Sequence, residues 1–192
     1  NQGDNAGVGY FEVNQKSGWR WNASKAFLRP AKSRPNLTIW TEAHVQKLNF
    51  RTDQGEPVCI GAQVLHQGRT VDVRAHAEVI LCAGAIGSPQ ILQLSGIGDP
   101  DHLAGLGIPV VRDLPGVGGN LQDHLQIRAV YKVQGAKTLN TLANSLWGKA
   151  MIGMEYMLKR SGPMSMSPSQ LGAFTRSDPS QAHPNLEYHV QP

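Results

Sequence analysis

The chain has 192 residues, 40% of them hydrophobic, enough to build the core of one or two domains. Its 18 Lys and Arg against 14 Asp and Glu leave a net charge of +4, scattered over positions such as Lys16, Arg20, Lys25, Arg29, Lys32 and Arg34. No run of like charge marks a nucleic-acid footprint, and no apolar stretch of about 18 residues is present to span a membrane.

Gly and Pro are frequent, at 21 and 12 residues, as in sheet-rich α/β or α+β chains. Residues 1–21 are polar and glycine-rich, with a brief extended piece at Tyr10–Val13, a turn at Lys16-Ser17-Gly18, and Trp19 and Trp21 flanking Arg20. Asn22 caps a predicted helix over Ala23–Arg29 that Pro30 stops. Asn22-Ala23-Ser24 also has the form of a glycosylation acceptor, but it is read here as the cap.

Alternation predicts strands at 37–41, 44–51, 58–65 and 71–75, with turns at Asp53–Glu56 and His66–Gly68. The last three of these strands form a meander leading into Val79–Cys82. That short unbroken apolar run is expected to be a strand of a parallel sheet, covered on both faces. The side chains then shrink through Ala83, Gly84, Ala85 and Gly87. Ser88 and Pro89 are the expected N-cap and first residue of a helix that carries Ile91, Leu92 and Leu94 and ends at Ser95-Gly96. Ligands of open α/β sheets sit at the carboxyl ends of strands, and small residues there let a bulky ligand approach the backbone.

Asp99-Pro100 opens a short helix ended by Gly107, and residues 108–111 are extended. The Gly116-Val117-Gly118-Gly119 turn delivers Asn120, Asp123 and His124. An Asp-His pair suggests acid/base work, but adjacent residues do not face each other on a helix, so these side chains are read as capping or stapling a buried loop. Residues 127–133 alternate as a strand of another sheet. Residues 139–159 are helical, with Leu142, Leu146, Ala150, Met154 and Met157 as the core face. Ser161-Gly162-Pro163 breaks that helix, a loop runs to Gln170, and strands are expected from Leu171 and over 186–190. His183 and His189 lack metal-ligand spacing.

A dinucleotide cradle, Gly-x-Gly-x-x-Gly, is missing. Gly7-x-Gly9 and Gly105-x-Gly107 both lack the third glycine, and Gly116-x-Gly118-Gly119 precedes no clear helix. No P-loop, His-Glu-x-x-His, Cys-x-x-Cys or Gly-x-Ser-x-Gly string is present. Cys59 and Cys82 read as buried, reduced thiols. With no signal-peptide pattern in the sequence, a cytoplasmic or membrane-associated address is expected over a secreted one. A start at Asn1 without Met and a stop at Pro192 after a strand-like pattern are expected to be cuts through a larger protein.

Gly84-Ala85-x-x-Ser88-Pro89-x-Ile91-Leu92-x-x-Ser95-Gly96-Ile97-Gly98 resembles the second signature of the glucose-methanol-choline (GMC) flavin oxidoreductases. An ordinary βα turn would account for the small residues but not for the whole string. Gly116-Val117-Gly118-x-Asn120-Leu121-Gln122-Asp123-His124 resembles the motif that follows it in the family. Lys25–Pro30, Arg34–Thr38 and Ala43-x-Val45 extend the likeness over nearly the whole chain. The resemblance implies FAD as cofactor and an α/β (α+β) fold. That fold would be part of a discontinuous FAD-binding domain with a parallel sheet and a β-meander, plus part of an antiparallel-sheet substrate domain. Residues 1–29 would form a linker or substrate-domain edge with a helix, 30–110 the central part of the FAD domain, and 111–192 part of the substrate domain. Val45 would meet the adenine through its backbone, and Ala83 and Gly84 would pass close to the cofactor. The family's catalytic His has no matching context here, so no catalytic residue and no metal ligand are assigned.

The implied reaction is oxidation of a CH–OH group of a small-molecule alcohol, with hydride transfer to flavin N5. Arg160–Ser165 and Pro184–His189 are similar to choline-dehydrogenase-like alcohol dehydrogenases. Two alternatives stand beside this reading: a non-catalytic fragment, and a generic nucleotide-binding module using NAD. The sequence specifies neither the electron acceptor nor the oligomeric state.

Overall fold

The structure, a computed structural model, describes residues 4–135 and 138–191. In chain order the strands are β1 (Gly7–Tyr10), β2 (Gln15–Lys16), β3 (Trp19–Arg20), β4 (Ala43–Asp53), β5 (Glu56–His66), β6 (Arg69–Arg74), β7 (Ile97–Gly98), β8 (Arg112–Asp113), β9 (Leu171–Thr175) and β10 (Leu186–Val190). The helices are α1 (Arg29–Ala31), α2 (Gly84–Leu94), α3 (Pro100–Gly105), α4 (Leu139–Ala143) and α5 (Leu146–Lys159). The fold is mixed α/β with antiparallel and parallel pairing, in two compact units: Asn1–Leu37 with Ala129–Pro192, and Thr38–Arg128. Among the described residues no helix is long and apolar enough to cross a membrane.

In the first unit β9 lies between β1 and β10, antiparallel to both. Phe11 follows β1, and its ring lies against the face of buried Gly172 and 4.8 Å from the ring of His189. Asn22 does cap, its Oδ1 accepting from Lys25 N at 3.1 Å. Pro30 does not stop the helix. It lies inside α1, and the preceding Ser24–Leu28 turn widens to a π-helix in which Arg29 N bonds Ser24 O. Proline has no N–H for the ordinary bond and crowds the carbonyl four residues back, so a wider turn relieves it.

The helix expected over 139–159 is broken. Thr138 caps α4, and Ser145, extended, caps α5 by accepting from Gly148 N at 2.9 Å. The face expected to be core is open: Leu146 is 86% and Met157 69% exposed, while Gly148, Ile152, Gly153 and Tyr156 are half-buried. Sequence periodicity finds an apolar stripe but not what covers it.

The second unit is built on the β4-β5-β6 meander, antiparallel throughout. Both hairpins close on two-residue loops, Gln54-Gly55 and Gln67-Gly68, with φ positive at both positions. Such loops match the right-handed twist of the strands they join. Leu48, Val64 and Leu103 form the buried apolar core of this unit.

Three expected strands do not form. Residues 37–41 run without a ladder, though Trp40 stacks on His66 with ring centroids 4.6 Å apart. Val79–Cys82 forms no ladder, with Val79 and Leu81 half-buried and Ile80 and Cys82 exposed, so one face is open rather than both covered. Cys82 is therefore not a buried thiol, and Cys59 is half-buried. Residues 127–133 are likewise unpaired, with Ile127 at 92% and Val130 at 87% exposure. The loop around Asn120 and Asp123 is exposed rather than buried. Alternation records which faces differ in polarity; a strand also needs a neighbour for its N–H and C=O groups, and none lies beside these segments among the described residues. The parallel pairing is the two-residue match of β7 with β8.

Candidate functional site

The corner at Ala83–Gly84 is built differently from the expected strand-turn-helix. α2 begins at Gly84, with Ala83 as N-cap, five residues earlier than the Ser-Pro pair suggested. Ser88 instead reaches back, its hydroxyl accepting from Ala83 N at 3.0 Å. Pro89 sits inside the helix. Gly84 has φ +84, and a Cβ placed there would meet nothing within 4 Å. Ala83, Gly84, Ala85 and Ile86 are all exposed. The corner is open, and its backbone N–H groups lie at a helix N-terminus, where four donors lack intrahelical partners and the helix dipole favours negative charge.

Val45 lies on β4, an edge strand of the meander, half-buried and paired with Val64. The register slips between Val45 and Lys47, and again between Asn49 and Phe50. An edge strand keeps half of its backbone groups free to meet something other than its neighbour.

Val45 and the Ala83–Gly84 corner are joined through α2, which packs on β4. At the helix's far end the Ser95 hydroxyl accepts from Leu48 N at 2.7 Å and donates to Ile91 O at 2.5 Å. Gln93 Nε2 donates to Val117 O at 3.1 Å, holding the Gly116–Gly119 turn against the same helix end. Ser95 and Gln93 are the positioning groups that sequence reasoning missed. Ser95 is a specified position of the signature string, which was the available signal; Gln93 falls on an unspecified one.

A cleft of about 650 Å³ lies at this end of α2, lined by Lys47, Asn49, Phe50, Leu94, Gly96 and Val111 among others. Neither Val45 nor the Ala83–Gly84 pair lines it. Asp123 and His124 form no side-chain pair: Asp123 Oδ1 accepts from the His124 backbone N at 2.8 Å. His189 Nε2 meets Glu187 Oε1 at 2.9 Å on the exposed β10. Among the described residues no three His, Cys, Asp or Glu side chains gather as a metal site.

The sequence profile described as "GMC oxidoreductase" matches residues 1–126, which is more than half of the chain. The chain belongs to the GMC oxidoreductase family. Among curated relatives of this GMC chain, the alcohol dehydrogenase [acceptor] of Pseudomonas putida is 39% identical over 187 residues, covering 97% of this chain and 33% of that protein. The mitochondrial choline dehydrogenase of Homo sapiens is 40% identical over 186 residues, covering 97% of this chain and 30% of that protein. The solved structure of an FAD-dependent oxidoreductase from Chaetomium thermophilum superposes with a TM-score of 0.79 at 32% identity, covering 90% of this chain and 30% of that one. This GMC chain thus spans about a third of the length of the relatives it matches.

Proposed function

We propose that this chain is the central portion of an FAD-dependent oxidoreductase that converts a small alcohol to its aldehyde. Residues 30–110 supply the middle of a discontinuous FAD-binding domain, and 111–192 part of the substrate domain. Membership of the GMC family and likeness to an FAD-dependent oxidoreductase support the cofactor. The names of the alcohol and choline dehydrogenase relatives support the substrate class.

The observation that carries the reading is the open Gly84 corner. Its exposed small side chains and its free space at Gly84 fit a bulky cofactor laid against main chain. Ala83 and Gly84 would hold the cofactor there, and Val45 would read the adenine edge through its backbone. FAD, when bound, supplies the acceptor for the hydride leaving the alcohol carbon. The residues of this chain position and shield; no side chain in it is assigned the base that takes the hydroxyl proton.

The test is a chimera in which this chain replaces the matched 33% of the Pseudomonas putida alcohol dehydrogenase. The chimera is expected to be yellow and to oxidise alcohols. The chain purified alone is expected to be colourless, because its sequence lacks a phosphate cradle. Gly84→Leu in the chimera is expected to remove the flavin band while leaving the far-ultraviolet dichroism unchanged. A folded chimera without flavin would sink the reading.

A further inference from the structure

We infer that Ser95 is a positioning residue that sets the backbone at Val45 relative to the Ala83–Gly84 corner, acting through Leu48. The inference rests on the proposed flavin contacts of those residues.

Ser95 is a polar side chain with only 7% exposure, and its hydroxyl is used in both directions: it accepts from Leu48 N at 2.7 Å and donates to Ile91 O at 2.5 Å. Its own backbone N bonds Ile91 O at 3.1 Å and Leu92 O at 3.0 Å, so the hydroxyl is fixed to the last turn of α2. Leu48 is buried at 8% exposure, and without Ser95 its N–H would be a buried donor lacking this acceptor.

The place where this bond lands gives it leverage. Register slips flank Leu48 on both sides, between Val45 and Lys47 and between Asn49 and Phe50. Only Lys47, Leu48 and Asn49 pair regularly between them, with Gln63, Ala62 and Gly61. A bulge leaves one residue without a ladder partner and lets the strand bend, so the ladder to β5 holds Val45 less firmly than it holds an unbroken strand. Ser95 grips the middle residue of the three-residue stretch from outside the meander. Val45 stands just beyond the nearer bulge.

The same serine ends the helix whose first residue is Gly84. The 11 residues of α2 span about 16 Å at 1.5 Å per residue. One hydroxyl therefore sets the spacing between the two backbone stretches proposed to contact the cofactor.

The test uses Ser95→Ala, Ser95→Thr and Ser95→Cys in the chimera and in the full 192-residue chain. In the chimera Ser95→Ala is expected to weaken FAD binding about tenfold and to alter the visible dichroism of the bound flavin, and Ser95→Thr, which keeps a hydroxyl, is expected to restore both. In the isotope-labelled chain Ser95→Ala is expected to remove exchange protection from the Leu48 amide and to shift the amide resonances of Val45 and Gln46. If Ser95→Ala does not fold, Ser95→Cys, a weaker acceptor of nearly the same size, decides the matter on the same readouts. Lower thermal stability with unchanged FAD affinity and unmoved Val45 resonances would make Ser95 merely structural and overturn the inference. A wild-type chimera that takes up no flavin would instead defeat the proposed function, while the Val45 resonance in the isolated chain still decides whether Ser95 sets that backbone.

Discussion

Gln93 lies against Gly118: a Cβ built on this glycine would stand 2.6 Å from Gln93 Nε2, the atom that donates to Val117 O. Gly118 also has φ +84, in the left-handed region. Gly118→Ala therefore meets two penalties, about 1–2 kcal/mol for the backbone and the loss of the Gln93 bond. Urea denaturation of the chain is expected to show a loss of about 2 kcal/mol. The double variant with Gln93→Ala is expected to fall short of the summed single losses, because the clash is gone once the amide is removed.

That contact also marks the limit of what the sequence disclosed. The hairpins were legible because their information is local: Gln54-Gly55 and Gln67-Gly68 sit between alternating runs, and each brings a glycine that takes the positive φ of the turn without cost. The open corner was legible for the same reason, since Ala83-Gly84-Ala85 is small whatever surrounds it. Val79–Cys82 was not, because strand formation depends on a neighbour and its residues only report polarity. The start of α2 was misplaced because Ser88-Pro89 imitates a cap, whereas Ser88 bonds back to Ala83 N. The Ser95–Leu48 and Gln93–Val117 bonds join residues 47 and 24 positions apart, a separation at which a single sequence carries no pairing signal.

Leu103 has no exposed surface, the one large side chain so enclosed among the described residues. It sits on α3, a helix of six residues capped by Asp99, whose Oδ1 accepts from His102 N at 2.9 Å. So short a helix has little stability of its own and is held by what its one buried residue packs against. Leu103→Ala is expected to cost about 2–5 kcal/mol by calorimetry or urea denaturation, through lost burial and the cavity left behind. Asp99→Ala is expected to cost about 1 kcal/mol, the loss of a cap.

Asp4 and Arg176 are paired at 2.6 Å. The hydrogen bond from Arg176, and then that from the Ala6 backbone N–H, hold the Asp4 carboxyl below its ordinary value. A carboxyl depressed in the folded state stabilises the fold above its unfolded pKa, and that contribution is lost as pH falls through the folded value. Carboxyl titration by NMR is expected to find Asp4 below the usual aspartate range in the wild-type chain. In Arg176→Gln most of the shift is expected to vanish. An Asp4 titration unchanged by that substitution would mean the pair does not persist in solution.

The two sides of α5 should respond oppositely to substitution. Tyr156 faces inward: its hydroxyl donates to Gly18 O at 3.2 Å and its ring meets Trp19 edge-on with centroids 6.3 Å apart. Arg160, at the left-handed end of the helix, sets its guanidinium 4.3 Å over the same Trp19 ring. Tyr156→Phe is expected to cost about 1 kcal/mol, and Trp19→Ala more, since both the edge contact and the cation–π contact go with the ring. Leu146→Ser and Met157→Ser, on the open side, are expected to change stability by no more than about 0.5 kcal/mol in this chain. If the serine substitutions proved the costly ones, the apolar stripe of α5 would be packed in solution and the orientation of the helix described here would be reversed.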